Sequence, residues 1–199
     1  MCIFLTSTGF SSQAVLEAFK KVALELSYTS AVIITTASEG KSENKYAKLA
    51  KAQLIELAFT RVEFVDLEQY PEYDFSHFDV IYVCGGNTFK LLKFAREANL
   101  KKSVKELLVR DGTYLGVSAG TIILSPTIEV ANEITPDPNE IGLTDLTALN
   151  LIPFHVVVHF EESQEKEIRA FEKKHIISVE RLSNSQALII STDKSLQRI

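Results

Sequence analysis

The segment Gly116-Val117-Ser118-Ala119-Gly120 places a hydroxyl between two glycines, directly after the apolar run TYLGV and just before TIILSP. A buried strand that turns sharply into a helix leaves its apex side chain protruding, and the turn crowds the flanking Cβ positions, so small neighbours are favoured. Gly116, Ala119 and Gly120 supply that smallness around Ser118. The Ala119 amide would open the following helix, where an N–H has no helical partner. An alcohol beside a free main-chain donor suits acyl transfer, in which the donor holds the developing oxyanion.

Two further strand ends carry chemistry. The run DVIYV is followed by Cys84-Gly85-Gly86-Asn87 and then by the helical TFKLLKFAREA. Two glycines allow close backbone approach to a ligand, and a helix start presents unpaired amides. Gly86 is therefore a second oxyanion donor, with Gly85 and Asn87 beside it as substrate-binding positions; an anion cradle or a plain turn with a helix cap is the competing reading. No G-x-G-x-x-G is present for a dinucleotide. The third end is FHVVVHF, in which three valines favour a strand over a helix. On a strand, His155 and His159 lie about 13 Å apart at ~3.3 Å per residue, too far to share a metal. His159, at the carboxyl end, is the base that Ser118 needs at neutral pH. A carboxylate should fix its tautomer, and Glu133, Asp137, Asp145, Glu161 and Glu162 all compete for that role.

These groups need a scaffold. Apolar runs of strand length recur at 2–6, 30–36, 61–67, 79–86, 113–118, 154–160 and 186–190, with helix-compatible segments between most of them. Residues 11–26 place Val15, Phe19, Val22 and Leu26 on one stripe, and residues 41–58 do the same with Tyr46, Leu49, Leu54 and Leu57. Strands apolar at consecutive positions are covered on both faces, so the expected architecture is α/β, a three-layer α/β/α sandwich around a mostly parallel sheet. In such a sheet ligands collect beyond the carboxyl ends of the strands, where all three motifs fall. The alternation weakens after Pro126, which reads as a site-forming insertion within one domain spanning 1–199.

At 199 residues and 46% hydrophobic content the chain can build a substantial core, and a net charge of -5 without a dense Lys/Arg block argues against nucleic acid. The N-terminus MCIFLTSTGF has no cationic leader and no run approaches bilayer length, so the reading is cytoplasmic, without membrane attachment. Cys2 and Cys84 read as buried small apolar residues. His77 and His175 read as surface residues.

Taken together, CGGNTFKLL, GVSAGTIILSPTIE and LNLIPFHVVVHFEE resemble the peptidase E (aspartyl dipeptidase) and cyanophycinase family of serine peptidases, whose fold is similar to the class I glutamine amidotransferases. The resemblance covers nearly the whole chain. It implies Ser118 as nucleophile, His159 as general base, Gly86 and Ala119 as oxyanion amides, and Glu133 at the place of the acidic triad member, where the family usually has Asp. It also implies a small peptide substrate, no metal or organic cofactor, and a monomer or homodimer. The family's substrate-binding arginine is matched by Gln164, and Arg169 lies about a turn further on, so a bidentate partner for an N-terminal Asp is missing. Thr121 replaces the small residue usual after SAG. The expected function is a serine exopeptidase for short peptides; an esterase or amidase using the same groups, or a non-catalytic small-molecule-binding relative, are the alternatives.

Overall fold

The computed structural model describes residues 2–191, 193 and 195–199. The apolar runs become β1 (Cys2–Thr6), β2 (Ser30–Ile34), β3 (Arg61–Val65), β4 (Val80–Val83) and β5 (Thr113–Val117). These pair in the order β3-β2-β4-β5-β1, all parallel. Every residue of β1, β2 and β4 is buried, as strands covered on both faces must be. Arg61 and Glu63 fall on β3, the edge strand, where charge discourages pairing with another chain. The antiparallel strands β8 (Ala187–Ser191) and β9 (Leu196–Arg198) extend the sheet beyond β1.

Alternate strand residues point to opposite faces and so feed two cores. Phe4, Ala31, Ile33, Val80 and Tyr82 pack beneath α1 (Gln13–Glu25) and α2 (Lys45–Glu56). Ile3, Leu5, Val32, Ile34, Ile81 and Tyr114 pack on the other side, where the apolar residues of α3 (Thr88–Glu97), α4 (Leu100–Val109) and α5 (Ala119–Ile122) join the same cluster. The result is the expected α/β/α sandwich.

Two details depart from the sequence reading. The stripe on α2 is rotated: Ala47, Ala50 and Leu54 face the sheet, while Tyr46 and Leu49 are 67% and 54% exposed. Small alanines let the helix sit close to the sheet and leave the large side chains outside. FHVVVHF yields β6 (His155–Val158), which is not in the central sheet but pairs with β7 (Val179–Leu182) in a separate two-stranded parallel sheet. β6 packs instead against α5.

The segment after Pro126 is packed rather than loose. Thr127 bridges Thr147, and Ile128, Val130 and Ala131 are fully buried, the last two on α6 (Val130–Glu133), which precedes α7 (Glu165–His175) in the chain. Among the described residues no helix is long and apolar enough to cross a membrane.

Candidate active site

β5 delivers Ser118 to the carboxyl edge of the sheet in a backbone conformation, φ 51° and ψ −111°, that a non-glycine residue rarely adopts. Such strain persists only where surroundings enforce it. Here Ser118 N–H donates to the Thr6 carbonyl at 2.9 Å. The following turn presses so tightly on β4 that a Cβ at Gly120 would lie 2.4 Å from the Val83 carbonyl oxygen. Thr121 completes the clamp: its buried hydroxyl donates to the Thr6 carbonyl at 2.8 Å and accepts the Thr6 amide at 3.0 Å.

β6 delivers His159, itself at a positive φ of 54°, with its amide donating to Ser7 Oγ at 3.0 Å while that hydroxyl donates to the Leu182 carbonyl at 2.8 Å. The imidazole Nε2 lies 3.1 Å from Ser118 Oγ. Its Nδ1 lies 2.6 Å from Asn184 Oδ1. An amide oxygen can only accept, so Nδ1 carries the proton and Nε2 presents a lone pair to the serine hydroxyl. Asn184 is placed by its own backbone, whose carbonyl accepts from Thr8 Oγ1 at 2.6 Å.

Ala119 follows the serine, and Gly86 lines the same cleft. Among the described residues neither amide has a protein acceptor. Gly86 has φ 136°, and a Cβ there would sit 1.9 Å from the Ala37 carbonyl oxygen, so only glycine fits. Gly85 lines the cleft and its carbonyl accepts from Ser38 Oγ at 2.8 Å.

Three residues assigned to the site from the sequence are placed differently. Glu133 does not approach His159: its carboxylate is 2.7 Å from Lys174 Nζ and 3.0 Å from His175 Nε2, because α6 packs beside the C-terminal end of α7 and these two side chains capture it. Lys174, first among its partners, holds that carboxyl below the ordinary range. Asn87 is a helix cap, its Oδ1 accepting from Lys90 N–H at 2.8 Å and its Nδ2 donating to the Pro138 carbonyl at 2.7 Å. Gln164 reaches back to accept the Glu161 amide at 2.9 Å in a capping box, and is not part of the cleft wall. Of the other competing carboxylates, Asp137 caps α3 through the Thr88 amide at 2.8 Å and Asp145 takes the Thr147 amide at 2.9 Å. Arg169 is paired with Glu165 at 2.6 Å.

The cleft in front of Ser118 and His159 has a volume of about 600 Å³. Ser7, Phe10, Glu39, Tyr46 and Leu49 line it, none of which was singled out for chemistry from sequence. Cys84 and Tyr82 also face it, but burial pushes the thiol up to about 12 and the phenol well above its usual value, so both are neutral walls. Asn184 was missed because nothing local marks it; the sole hint is a polar turn, LSNSQ, between two apolar runs.

Comparison with known proteins places this geometry. The model of peptidase family S51 matches residues 3–198. An uncharacterized peptidase of Listeria monocytogenes serovar 1/2a is 37% identical over 90 residues, 45% of this chain and 44% of that protein. Peptidase E of Salmonella newport is 38% identical over 96 residues, 46% of this chain and 42% of that one. The aligned stretch thus spans under half the length of these two curated relatives. Over the full fold, the crystal structure of a candidate peptidase E protein from Listeria monocytogenes EGD-e superposes with a TM-score of 0.80 at 28% identity, covering 100% of this chain and 97% of the other. With the family model running from the first strand to the last, this chain belongs to peptidase family S51.

Proposed function

We propose that the protein is a serine exopeptidase that hydrolyses short peptides. The carrying observation is the 3.1 Å approach of Ser118 Oγ to His159 Nε2 at a strained elbow, with the opposite ring nitrogen on Asn184 Oδ1. Ser118 gives its proton to Nε2 as Oγ attacks the scissile carbonyl carbon. The Gly86 and Ala119 amides receive the oxyanion, and the tetrahedral intermediate collapses as Nε2 returns the proton to the departing amine. Water then attacks the acyl-serine with His159 again as base, releasing the acid and restoring the alcohol. The name peptidase E carried by the Salmonella relative supports a peptide substrate. A cleft of about 600 Å³ is in the range of small-ligand sites, which favours substrates of a few residues.

Asn184 is neutral, so it orients the ring but lends little to the imidazolium that must protonate a poor leaving group. This favours an ester-hydrolysing reading as the second one, because an alkoxide leaves more readily than an amine. A fluorophosphonate probe, a dipeptide panel and a matching ester panel test both. The expected result is covalent labelling at Ser118, and a loss of about 10⁴-fold or more in turnover for Ser118→Ala. Turnover of esters alone selects the second reading. Absence of labelling, with equal activity in Ser118→Ala, removes Ser118 from the chemistry.

A further inference from the structure

We infer that the acyl side of the site selects peptides with a free N-terminal ammonium on an apolar or aromatic first residue, with Glu39 as the specificity-determining residue that receives the ammonium. This deepens the serine peptidase reading and rests on it. Among the lining residues Glu39 is the one carboxylate, and no lysine or arginine lines the cleft. The remaining walls include Phe10, Tyr46, Leu49, Tyr82 and Val117. Tyr46 and Leu49 are large apolar side chains kept out of the core although they lie on a packed helix, at 67% and 54% exposure. An acidic first residue would meet no cation here and would face a carboxylate of its own sign. An apolar one gains roughly 25 cal/mol per Å² of surface removed from water.

The turn that bears Glu39 is also fixed to the wall of the cleft. Its carbonyl accepts from Asn44 Nδ2 at 2.9 Å, fixing the turn to the start of α2. The preceding residue, Ser38, donates to the Gly85 carbonyl at 2.8 Å, and the Ala37 carbonyl accepts the Asn87 amide at 3.1 Å. The turn bearing the carboxylate is thereby strapped to the loop that carries the Gly86 amide. The nearest cation in sequence is engaged elsewhere: Lys41 Nζ lies 3.0 Å from Asp66 and 3.0 Å from Glu68. Among the described residues no cation pairs with the Glu39 carboxylate, and an ammonium on the carbon next to the scissile carbonyl is the cation that every peptide with a free N-terminus brings into this cleft.

The test measures kcat/KM for Leu-Leu, Phe-Leu, Asp-Leu and N-acetyl-Leu-Leu on the wild type, Glu39→Gln and Glu39→Lys, with fluorophosphonate labelling of Ser118 run on each. Glu39 is exposed on a turn, and labelling of both variants verifies that the elbow is intact. The wild type is expected to prefer Leu-Leu and Phe-Leu over Asp-Leu by about tenfold or more, and to turn over the acetylated peptide at least several-fold more slowly than Leu-Leu. Glu39→Gln should raise KM for Leu-Leu about threefold to fivefold, the size of an exposed ion pair, without changing the acetylated substrate. Glu39→Lys should raise turnover of Asp-Leu. Labelled enzyme that prefers Asp-Leu, or whose KM for Leu-Leu is untouched by Glu39→Gln, overturns this inference alone; no labelling of the wild type overturns it together with the peptidase reading.

Discussion

Two histidines in this fold have opposite surroundings. His159 is exposed and touches two neutral groups, Ser118 Oγ at 3.1 Å and Asn184 Oδ1 at 2.6 Å. His175 is mostly buried and lies between two carboxylates, Glu133 at 3.0 Å and Glu129 at 3.6 Å, with its ring 4.4 Å from that of Phe171. The second constellation has more carboxylates, yet among the described residues no nucleophile faces it. It ties α6 to the end of α7, where cations also suit the negative end of the helix dipole. The first has almost no charge but is built on backbone strain at both the serine and the histidine. Carboxylates around an imidazole therefore mark architecture here, and the proposed reactive pair is marked by a protruding side chain and unpaired amides.

Disturbing the neutral partner of His159 should have the largest effect. Asn184→Ala removes the acceptor that holds Nδ1, which frees the ring and the tautomer. A hydrogen bond of this kind is worth about 1–3 kcal/mol when its loss leaves a partner unsatisfied, or roughly tenfold to a hundredfold in kcat/KM. Asn184→Asp restores the acceptor and adds a charge that favours the imidazolium. It should retain activity and move the acid limb of the kcat/KM profile to higher pH, which a merely structural residue would not do. Full activity in Asn184→Ala would show that the Ser118–His159 pair needs no third group.

Glu133→Ala disturbs the charged cluster instead. Its carboxylate is partly solvent-exposed, so removing its contacts with Lys174 and His175 should cost about 1 kcal/mol. For a chain of this length that corresponds to a Tm lower by about 2–4 °C. Hydrolysis measured at a temperature where both proteins are folded should stay within about twofold. A large fall in kcat with unchanged Tm would return Glu133 to the active site.

What could be read beforehand followed from how far apart the informative residues lie in the chain. The elbow at Ser118 is written in five consecutive residues because the steric demand of a strand-to-helix turn is local, and the fully buried strands β1, β2 and β4 are written in uninterrupted apolar runs. The Gly85-Gly86 loop is legible for the same reason. The group behind His159 is not, because it comes from the β7–β8 turn, 25 residues away, and is presented by a backbone carbonyl held by Thr8. The α2 stripe misled for a related reason. Periodicity reports that Tyr46, Leu49 and Leu54 share a side of the helix, but it does not say that alanines on the neighbouring side will take the sheet and leave two of the three to line a cleft.

The mildest prediction concerns the partner of the charged cluster, His155. This ring is buried, with Nε2 3.1 Å from Thr127 Oγ1, whose hydroxyl is in turn 3.1 Å from Glu129. Burial holds its pKa below the ordinary 6.5; Glu129 opposes that shift and His175 adds to it. The folded protein therefore binds a proton at this ring less readily than the unfolded chain does. The stability so contributed is present above pH 6.5 and drains away as the pH falls below that value. His155→Gln keeps a partner for Thr127 and removes the titration. Between pH 7 and pH 5 the wild-type Tm should fall more steeply than that of the variant, with the two slopes parallel above pH 7. Parallel slopes over the whole interval would mean that the ring takes up its proton without cost in the fold, so that burial does not distinguish His155 from the exposed His159.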